Sequence, residues 1–445
     1  MSGLAIAALL CSALPAPPAA GQAVPAQALS LKDLQERARR NDPRAQQAVA
    51  QLDNASARRD EAHAMNFPQI DYTAYVGGPS PQHLLSDPSN INSVRDGLSP
   101  FGAVFHGDIQ AVLPLYTFGK LSAGKSAGDH LVLANEALLQ RARDQAVFDV
   151  TKAYWGYQTA RNADVSVVNI RKRLQDAQDQ AKKLIADQSD QVSKSDALKL
   201  DYLAQEIEAQ HASALKGAQL ALTGIRLVAG LSGPFEIASQ ELPPAPETPP
   251  LEKLLERALA NRPEARAAAE AVKARAALVD LERGKLYPDI GLVAGYRFTD
   301  TTNASNPSSP FLNNPYFENS PYLAVALRGS LDLPQKLARV RQVEADLREA
   351  IATRAGAEAL IRLELQQATG DLDEARVKVD RYTRETAIGK QLAVQAGVAF
   401  EGGLGEAREL LEDTLLYARA DGARLSALFD AQLAYAALEK AVGGF

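Results

Sequence analysis

The chain has 445 residues, a formal net charge of -6 and an isoelectric point near 5.6, so it offers no broad basic surface and nucleic acid is excluded as a partner on charge. Apolar residues make up 46% but aromatics only 6%, and alanine fills much of the difference. That composition favours helices whose backbones approach closely over a thick core of large side chains.

Residues 1–28 are uncharged and rich in Ala, Leu and Pro. The apolar run from Leu4 to Leu14 is too short to span a bilayer as a helix. The segment reads as a secretory signal peptide, with cleavage after Ala23 or Ala28 satisfying the small-x-small rule, although no Lys or Arg follows Met1. Cys11 is the only cysteine, and Leu10 stands before it where a lipobox needs a small residue. The mature chain therefore has no thiol for disulfides or thiolate metal sites.

Residues 31–76 recur at residues 251–296. Leu31, Leu34, Glu36, Arg37, Ala38, Asn41, Pro43 and Ala45 match Leu251, Leu254, Glu256, Arg257, Ala258, Asn261, Pro263 and Ala265. A repeat this long is no solenoid unit, so each copy is a structural half with several elements. The expected halves are 29–231 and 251–445, joined by a Pro-rich linker at 232–250. Each opens with a short helix that breaks at Asn41-Asp42-Pro43 or Asn261-Arg262-Pro263 and restarts with proline in its first turn, where a missing N–H costs nothing.

The restarted helices end near Phe67-Pro68 and Tyr287-Pro288, and alternation follows. Ile70, Tyr72, Ala74 and Val76 share a face, as do Ile290, Leu292, Ala294, Tyr296 and Phe298. After loops expected at 77–103 and 300–320, Phe105, Ile109, Ala111 and Leu113 share a face, and so do Leu323, Val325, Leu327 and Leu331. The result is one hairpin per half, 69–115 and 289–331, with strands of membrane-spanning length. Four strands cannot close, and open edges are forbidden in lipid, so strands placed in a membrane require several copies. No later segment stays apolar for the length of a transmembrane helix.

Long helices are expected from about Phe118 to Asp187 and from Pro334 to Phe400, roughly 105 Å at 1.5 Å per residue. Each returns as a shorter helix, near 191–230 and 404–441, completing helical hairpins over 118–230 and 334–441. Leu411, Leu415, Ala418, Gly422, Leu425, Phe429, Gln432 and Ala436 step by four and three, a coiled-coil seam. A second stripe of Leu416, Ala420, Ala423, Ala427, Ala431, Ala434 and Leu438 lies beside it. A helix with two adjacent seams has neighbours on both sides, as a stave has in a cylinder. The fold class is mainly α with a small β part.

The duplicated Asn-x-Pro break, the Phe-Pro and Tyr-Pro strand starts, Pro114-Leu115-Tyr116-Thr117-Phe118-Gly119-Lys120 at a strand-to-helix corner, Phe400-Glu401-Gly402-Gly403-Leu404 between the last helices and Leu438-Glu439-Lys440-Ala441-Val442-Gly443 at the end together resemble the TolC family of outer-membrane efflux proteins. The resemblance implies a homotrimer with a 12-stranded outer-membrane β-barrel and a periplasmic α-barrel. It further implies a passive exit duct for tripartite efflux or type I secretion, driven by an inner-membrane pump of RND, ABC or MFS type through a periplasmic adaptor. Gly402, Gly403 and Leu404 are the expected adaptor-docking tip, the glycines permitting a tight turn. The other tip, from Asp187 to Lys194, lacks the family's glycine. Asp187, Asp190, Asp196, Glu401 and Glu406 are candidates for an acidic, cation-selective aperture, or are ordinary solvated helix ends.

Two other readings stay open. A soluble periplasmic coiled-coil scaffold or adaptor would share the helices but not the strands. A P-loop NTPase is suggested by Gly119-Lys120-Leu121-Ser122-Ala123-Gly124-Lys125-Ser126, which satisfies G-x-x-x-x-G-K-S after a strand. Its best Walker B partner, Ala277-Leu278-Val279-Asp280, aligns in the repeat with Ala57-Arg58-Arg59-Asp60, which suits no buried strand. His63, His83, His106, His130 and His211 form no ligand pattern, and soft ligands are scarce, so no metal or other cofactor is expected.

Overall fold

A computed structural model describes residues 28–444 except 79, 86–93, 100–102, 187–191, 239, 303–316 and 403. In chain order the elements are β1 (Ala28–Leu29), α1 (Leu31–Asn41), α2 (Pro43–Ala64), β2 (Gln69–Gly77), β3 (Ser80–Leu85), β4 (Val94–Ser99), β5 (Val104–Tyr116), α3 (Lys120–Ala186), α4 (Lys194–Ala229), β6 (Glu236–Ile237), α5 (Leu251–Asn261), α6 (Pro263–Gly284), β7 (Asp289–Thr301), β8 (Glu318–Arg328), α7 (Leu333–Glu401) and α8 (Ala407–Val442). Matching helices of the two halves have matching lengths: α1 and α5 have 11 residues each, α2 and α6 have 22, and α4 and α8 have 36. At 67 and 69 residues, α3 and α7 each extend about 100 Å.

The main sheet is antiparallel throughout, in the order β2-β5-β7-β8. Pairing of β5 with β7 fuses the halves, and among the described residues β2 and β8 are left as open edges. Alternation places Ile70, Tyr72, Val76, Leu323, Val325 and Leu327 on one face, each between 64% and 82% exposed. The opposite face is polar: Arg297 lies 3.0 Å from Asp108 and 3.5 Å from Glu318, and His106 Nδ1 lies 2.9 Å from the Thr299 hydroxyl. A sheet with a solvent-hostile outside and a charged inside is the pattern of a barrel wall with a wet lumen.

The stretch expected as a loop at 77–103 contains a further two-stranded hairpin, β3 with β4. Pro81, Gly97 and Ser99 inside those strands gave it the composition of a loop. In the second half β7 continues to Thr301 and β8 begins at Glu318, so the strands reach into the expected loop at both ends.

Below the sheet, α2 and α4 lie end to end along one flank of α3, while α6 and α8 do the same in the gap between α3 and α7. The two stripes of α8 serve these two neighbours: Leu411, Leu425, Ala427, Ala431, Ala436 and Leu438 are buried between α3 and α7. Three apolar clusters hold the layer, one at the far tips, one joining α1, α3 and α4 with the β1–β6 pair, and one joining α5, α7 and α8. Alanine is common in each, which permits close helix packing with little side-chain entropy lost.

The sheet-to-helix corner is fixed by aromatics. Phe118 takes a positive φ of 50°, costly for a residue with a side chain. Its ring stacks on Tyr287 at 5.1 Å and meets Tyr116 edge-on at 4.7 Å, and these contacts hold the corner in place. Phe67, Leu115, Tyr116 and Tyr287 are exposed around it, an arrangement suited to a membrane–water interface.

Candidate functional site at the helical tips

Both helical hairpins turn at the end farthest from the sheet. Of the first turn, Asp187 and Asp190 lie outside the described residues. Asp196 is described and is committed to a helix cap. The Ser193 hydroxyl donates to its Oδ2 at 2.7 Å, the Asp196 N–H donates back to Ser193 Oγ at 3.2 Å, and Lys199 Nζ lies 3.1 Å from Oδ1. The Ser193 bond foremost holds its carboxyl below the usual aspartate range. This is a capping box, and it fixes how α4 begins.

The second turn is closed by backbone bonds. The Gly402 N–H donates to the Val398 carbonyl, and the Leu404 and Gly405 N–H groups both donate to the Ala399 carbonyl, each at 2.9 Å. Gly402 has φ -76°, an ordinary right-handed conformation that any residue adopts, so its glycine freedom is not what makes the turn. Gly405 is the crowded position: a Cβ there would stand 2.9 Å from that of Ala399. Gly403 lies outside the described residues. Leu404 is 92% exposed, whereas Phe400 beside it is 1% exposed and anchors the turn in the tip cluster.

Glu401 ends α7, and Glu406 is the N-cap of α8 without a side-chain capping bond; both are exposed. Arg408 stands within the field of both Glu406 and Asp196 and donates to Glu412 at 2.9 Å, which raises its guanidinium pKa, the Glu412 bond contributing most. A cation therefore sits among the acids of the two tips. Between α3, α7 and α8, just above the turns, lies a cavity of about 220 Å³ lined by Arg173, Asp176, Phe400, Glu401 and Thr414 among others.

The Walker-like run takes a different form from a phosphate loop. From Lys120 onward it is helix, and the Ala123 N–H is already bonded to the Gly119 carbonyl at 2.9 Å. A phosphate cradle needs such N–H groups unspent and convergent. Lys120 reaches away to the Tyr287 carbonyl at 2.8 Å and to Asp289 at 2.7 Å. Residues 277–280 lie within α6. Three of the histidines pair with carboxylates, His63 with Asp129, His130 with Glu270, and His211 with Asp164 and, at 3.9 Å, with Glu208.

An antiparallel sheet apolar on its outer face, continuous with helices about 100 Å long, defines a membrane-channel protomer with an aqueous extension. Residues 34–225 and 254–444 match the family model for outer membrane efflux proteins, and the chain belongs to that family. It is accordingly an outer-membrane protein of a Gram-negative bacterium, with its helical part on the periplasmic side. Solved structures share the fold. The CmeC outer membrane channel of Campylobacter jejuni superposes with a TM-score of 0.77 at 14% identity, over 93% of this chain and 85% of that one. VceC of Vibrio cholerae gives 0.74 at 18% identity, over 93% and 96%, and the open state of the MtrE channel of Neisseria gonorrhoeae gives 0.73 at 17%, over 93% and 89%. No curated protein matches the sequence. No helix among the described residues is long and apolar enough to cross a membrane.

Proposed function

We propose that three copies close into a passive exit duct, in which a four-stranded sheet per copy gives a twelve-stranded barrel and the helices form a periplasmic α-barrel. The observation that carries this reading is the sheet itself: apolar on its outer face, with unpaired edges at β2 and β8. Open edges in lipid leave backbone N–H and C=O groups without partners, and closure with further copies removes the cost. In mild detergent the native mass should be about three times that of the mature chain, and a folded, detergent-free monomer would sink the proposal.

The duct has no energy source of its own in this reading; an inner-membrane pump of RND, ABC or MFS type drives export through a periplasmic adaptor. The adaptor docks on the turn at Gly402, Gly403 and Leu404, supported by the near-complete exposure of Leu404. Leu404→Asp should abolish export and leave the trimer intact. Around the closed mouth, Asp187, Asp190, Glu401 and Glu406 gather negative charge. Asp196 has its carboxylate engaged by Ser193 and Lys199, and Arg408 offsets part of the field. Cation preference in planar bilayers, reduced when Asp187 and Asp190 become Asn, is the expected result; equal permeability to potassium and chloride in both proteins overturns it.

A further inference from the structure

The internal duplication supplies a template for the contact between copies. The first hairpin pairs Gln69 with Val112, and the second pairs Asp289 with Arg328. Gln69 thus corresponds to Asp289, and Val112 to Arg328. Within one chain, β5 of the first half meets β7 of the second, pairing Val112 with Val293, Ala111 with Ala294 and Gln110 with Gly295. The only equivalent contact open to β8 is with a β2 strand, and β2 of the same chain lies at the opposite edge of the sheet.

We propose that β8 of one copy pairs antiparallel with β2 of the next in the register of β5 with β7, and that Arg328 forms an ion pair with Asp71 of the next copy across this seam. Transferring the β5–β7 pairs sets Arg328 opposite Thr73, Leu327 opposite Ala74, Ala326 opposite Tyr75 and Val325 opposite Val76. The inference rests on the multi-copy closure proposed above.

Hydropathy checks this register independently of the template. Leu327, Val325, Ala74 and Val76 all lie on the apolar outer face, and Arg328, Ala326, Thr73 and Tyr75 all lie on the polar one. A slip of one residue would set Leu327 against Thr73 or Tyr75 and turn a whole strand inside out. The pairing of sizes also repeats: Tyr75 meets Ala326 as the Tyr322 ring covers Gly295 within the chain.

The charges follow the same geometry. Arg297 faces Ser320 across the β7–β8 ladder and reaches Glu318, two residues earlier in β8, at 3.5 Å. In the transferred register Arg328 faces Thr73, and Asp71 stands two residues earlier in β2, the same diagonal. The residue directly opposite Arg328 in its own chain, Asp289, is bonded to Lys120 at 2.7 Å. Among the described residues neither Arg328 nor Asp71 has an ion pair within its own chain, so the two open edges carry complementary charges.

Cysteine pairs in the full chain, in a Cys11→Ser background, test the register under mild oxidation in outer membranes. Ala326→Cys with Tyr75→Cys and Leu327→Cys with Ala74→Cys are the matched pairs. Adjacent positions of an antiparallel ladder alternate between wide and narrow pairs, so one of the two has the close Cβ spacing that a disulfide needs. Linked chains up to the trimer are expected from at least one matched pair, and little linking from Ala326→Cys with Thr73→Cys or with Gly77→Cys. Linking in the offset pairs alone overturns the register and leaves the trimer standing. No linking in a protein of trimeric native mass overturns the seam, whereas no linking in a protein of monomeric mass overturns the trimer. Arg328→Asp and Asp71→Arg should each lower the temperature at which the trimer dissociates, and their combination should restore it; absence of restoration overturns the ion pair.

Discussion

At the joint between α4 and α2, Gly230 in the left-handed conformation packs on Asn41, whose side chain donates to the Ala229 carbonyl at 3.1 Å. At the joint between α8 and α6, Gly443 takes the same conformation against Asn261 and Arg262. The backbone plan is shared, but the charge is inverted. Asp42 caps α2 and is 1% exposed, and Arg44 ties it at 2.9 Å and Asp149 on α3 at 2.6 Å. Arg262 occupies the same place at 4% exposure and reaches Glu364 on α7 at 2.6 Å and Glu264 at 3.4 Å. The joint demands a left-handed residue without a side chain and a buried, paired charge linked to the long helix, through Arg44 in the first half and directly from Arg262 in the second. Either sign of charge meets the second demand, since an opposite partner within hydrogen-bond reach offsets the desolvation of a buried ion of either sign.

The glycines are where this comparison breaks most sharply. Gly230→Val sets a Cβ 2.7 Å from that of Asn41, in a conformation disfavoured for any branched residue, and Gly443→Val does the same against backbone atoms 3.0 Å away. Each should cost about 3 kcal/mol, read as an earlier thermal transition by circular dichroism in detergent. A larger loss at Gly443 is expected, because the backbone it meets cannot swing aside as the Asn41 side chain can.

The charged residues sharpen the contrast at smaller magnitude. Asp42 accepts from the Arg44 N–H at 2.8 Å, whereas Arg262 makes no side-chain capping bond because it has no acceptor to offer. Asp42→Ala should therefore cost about 1–2 kcal/mol, through a lost cap and a lost partner for Arg44. Arg262→Ala should cost about 1 kcal/mol, since the partly exposed Glu364 rehydrates. The reverse order, in the same thermal assay, would show that the tie to the long helix outweighs the cap.

Sequence patterning made some of this legible and hid the rest for identifiable reasons. Pro43 and Pro263 mark helix starts because a local rule, the missing N–H, operates on a single residue. Tyr72, Val76, Leu323 and Leu327 reveal a lipid-facing side because strand alternation has a period of two. The β5–β7 pairing is a contact between distant segments with no local signature. Gly405 carries no signal in the sequence beside the more conspicuous Gly402-Gly403 pair, because crowding by Ala399 depends on how the turn folds back. The place of Arg408 among the acids is not legible in the sequence, because the nearness of the two tips is set by Phe400, Val192 and Leu200 packing together, not by spacing along the chain.

Asp144 lies between the joints on α3, with Arg39 on one side and Glu264 and Lys440 on the other, and Gln140 donates to it at 2.7 Å. At 5% exposure its charged form is penalised, and burial foremost pushes its pKa up from 3.8 to about 6. The native state then holds a proton that the unfolded chain gives up, so the stabilisation is complete below pH 3.8 and is lost as pH rises through 6. Asp144→Asn keeps the acceptor for Gln140 and removes the titration. It should raise stability at pH 7.5 by on the order of 1–2 kcal/mol, with no gain at pH 4, as read from thermal transitions across that range.

The smallest effect is expected at Lys125, where the motif and the fold disagree. Residues from Lys120 onward form helix and the Ala123 N–H is spent on Gly119, so the run presents no nest of free amides to a phosphate. In a true phosphate loop the lysine neutralises bound phosphate, and its loss abolishes nucleotide binding. Here the side chain stands on the second turn of a helix, in no ion pair among the described residues, and its removal leaves no buried partner behind. Lys125→Ala should shift stability by less than about 0.5 kcal/mol and leave export unchanged. Calorimetric titration with ATP and magnesium decides the matter: saturable binding to the parent protein that vanishes in the variant would restore a nucleotide site, and with it a role for this corner beyond joining a barrel strand to a helix.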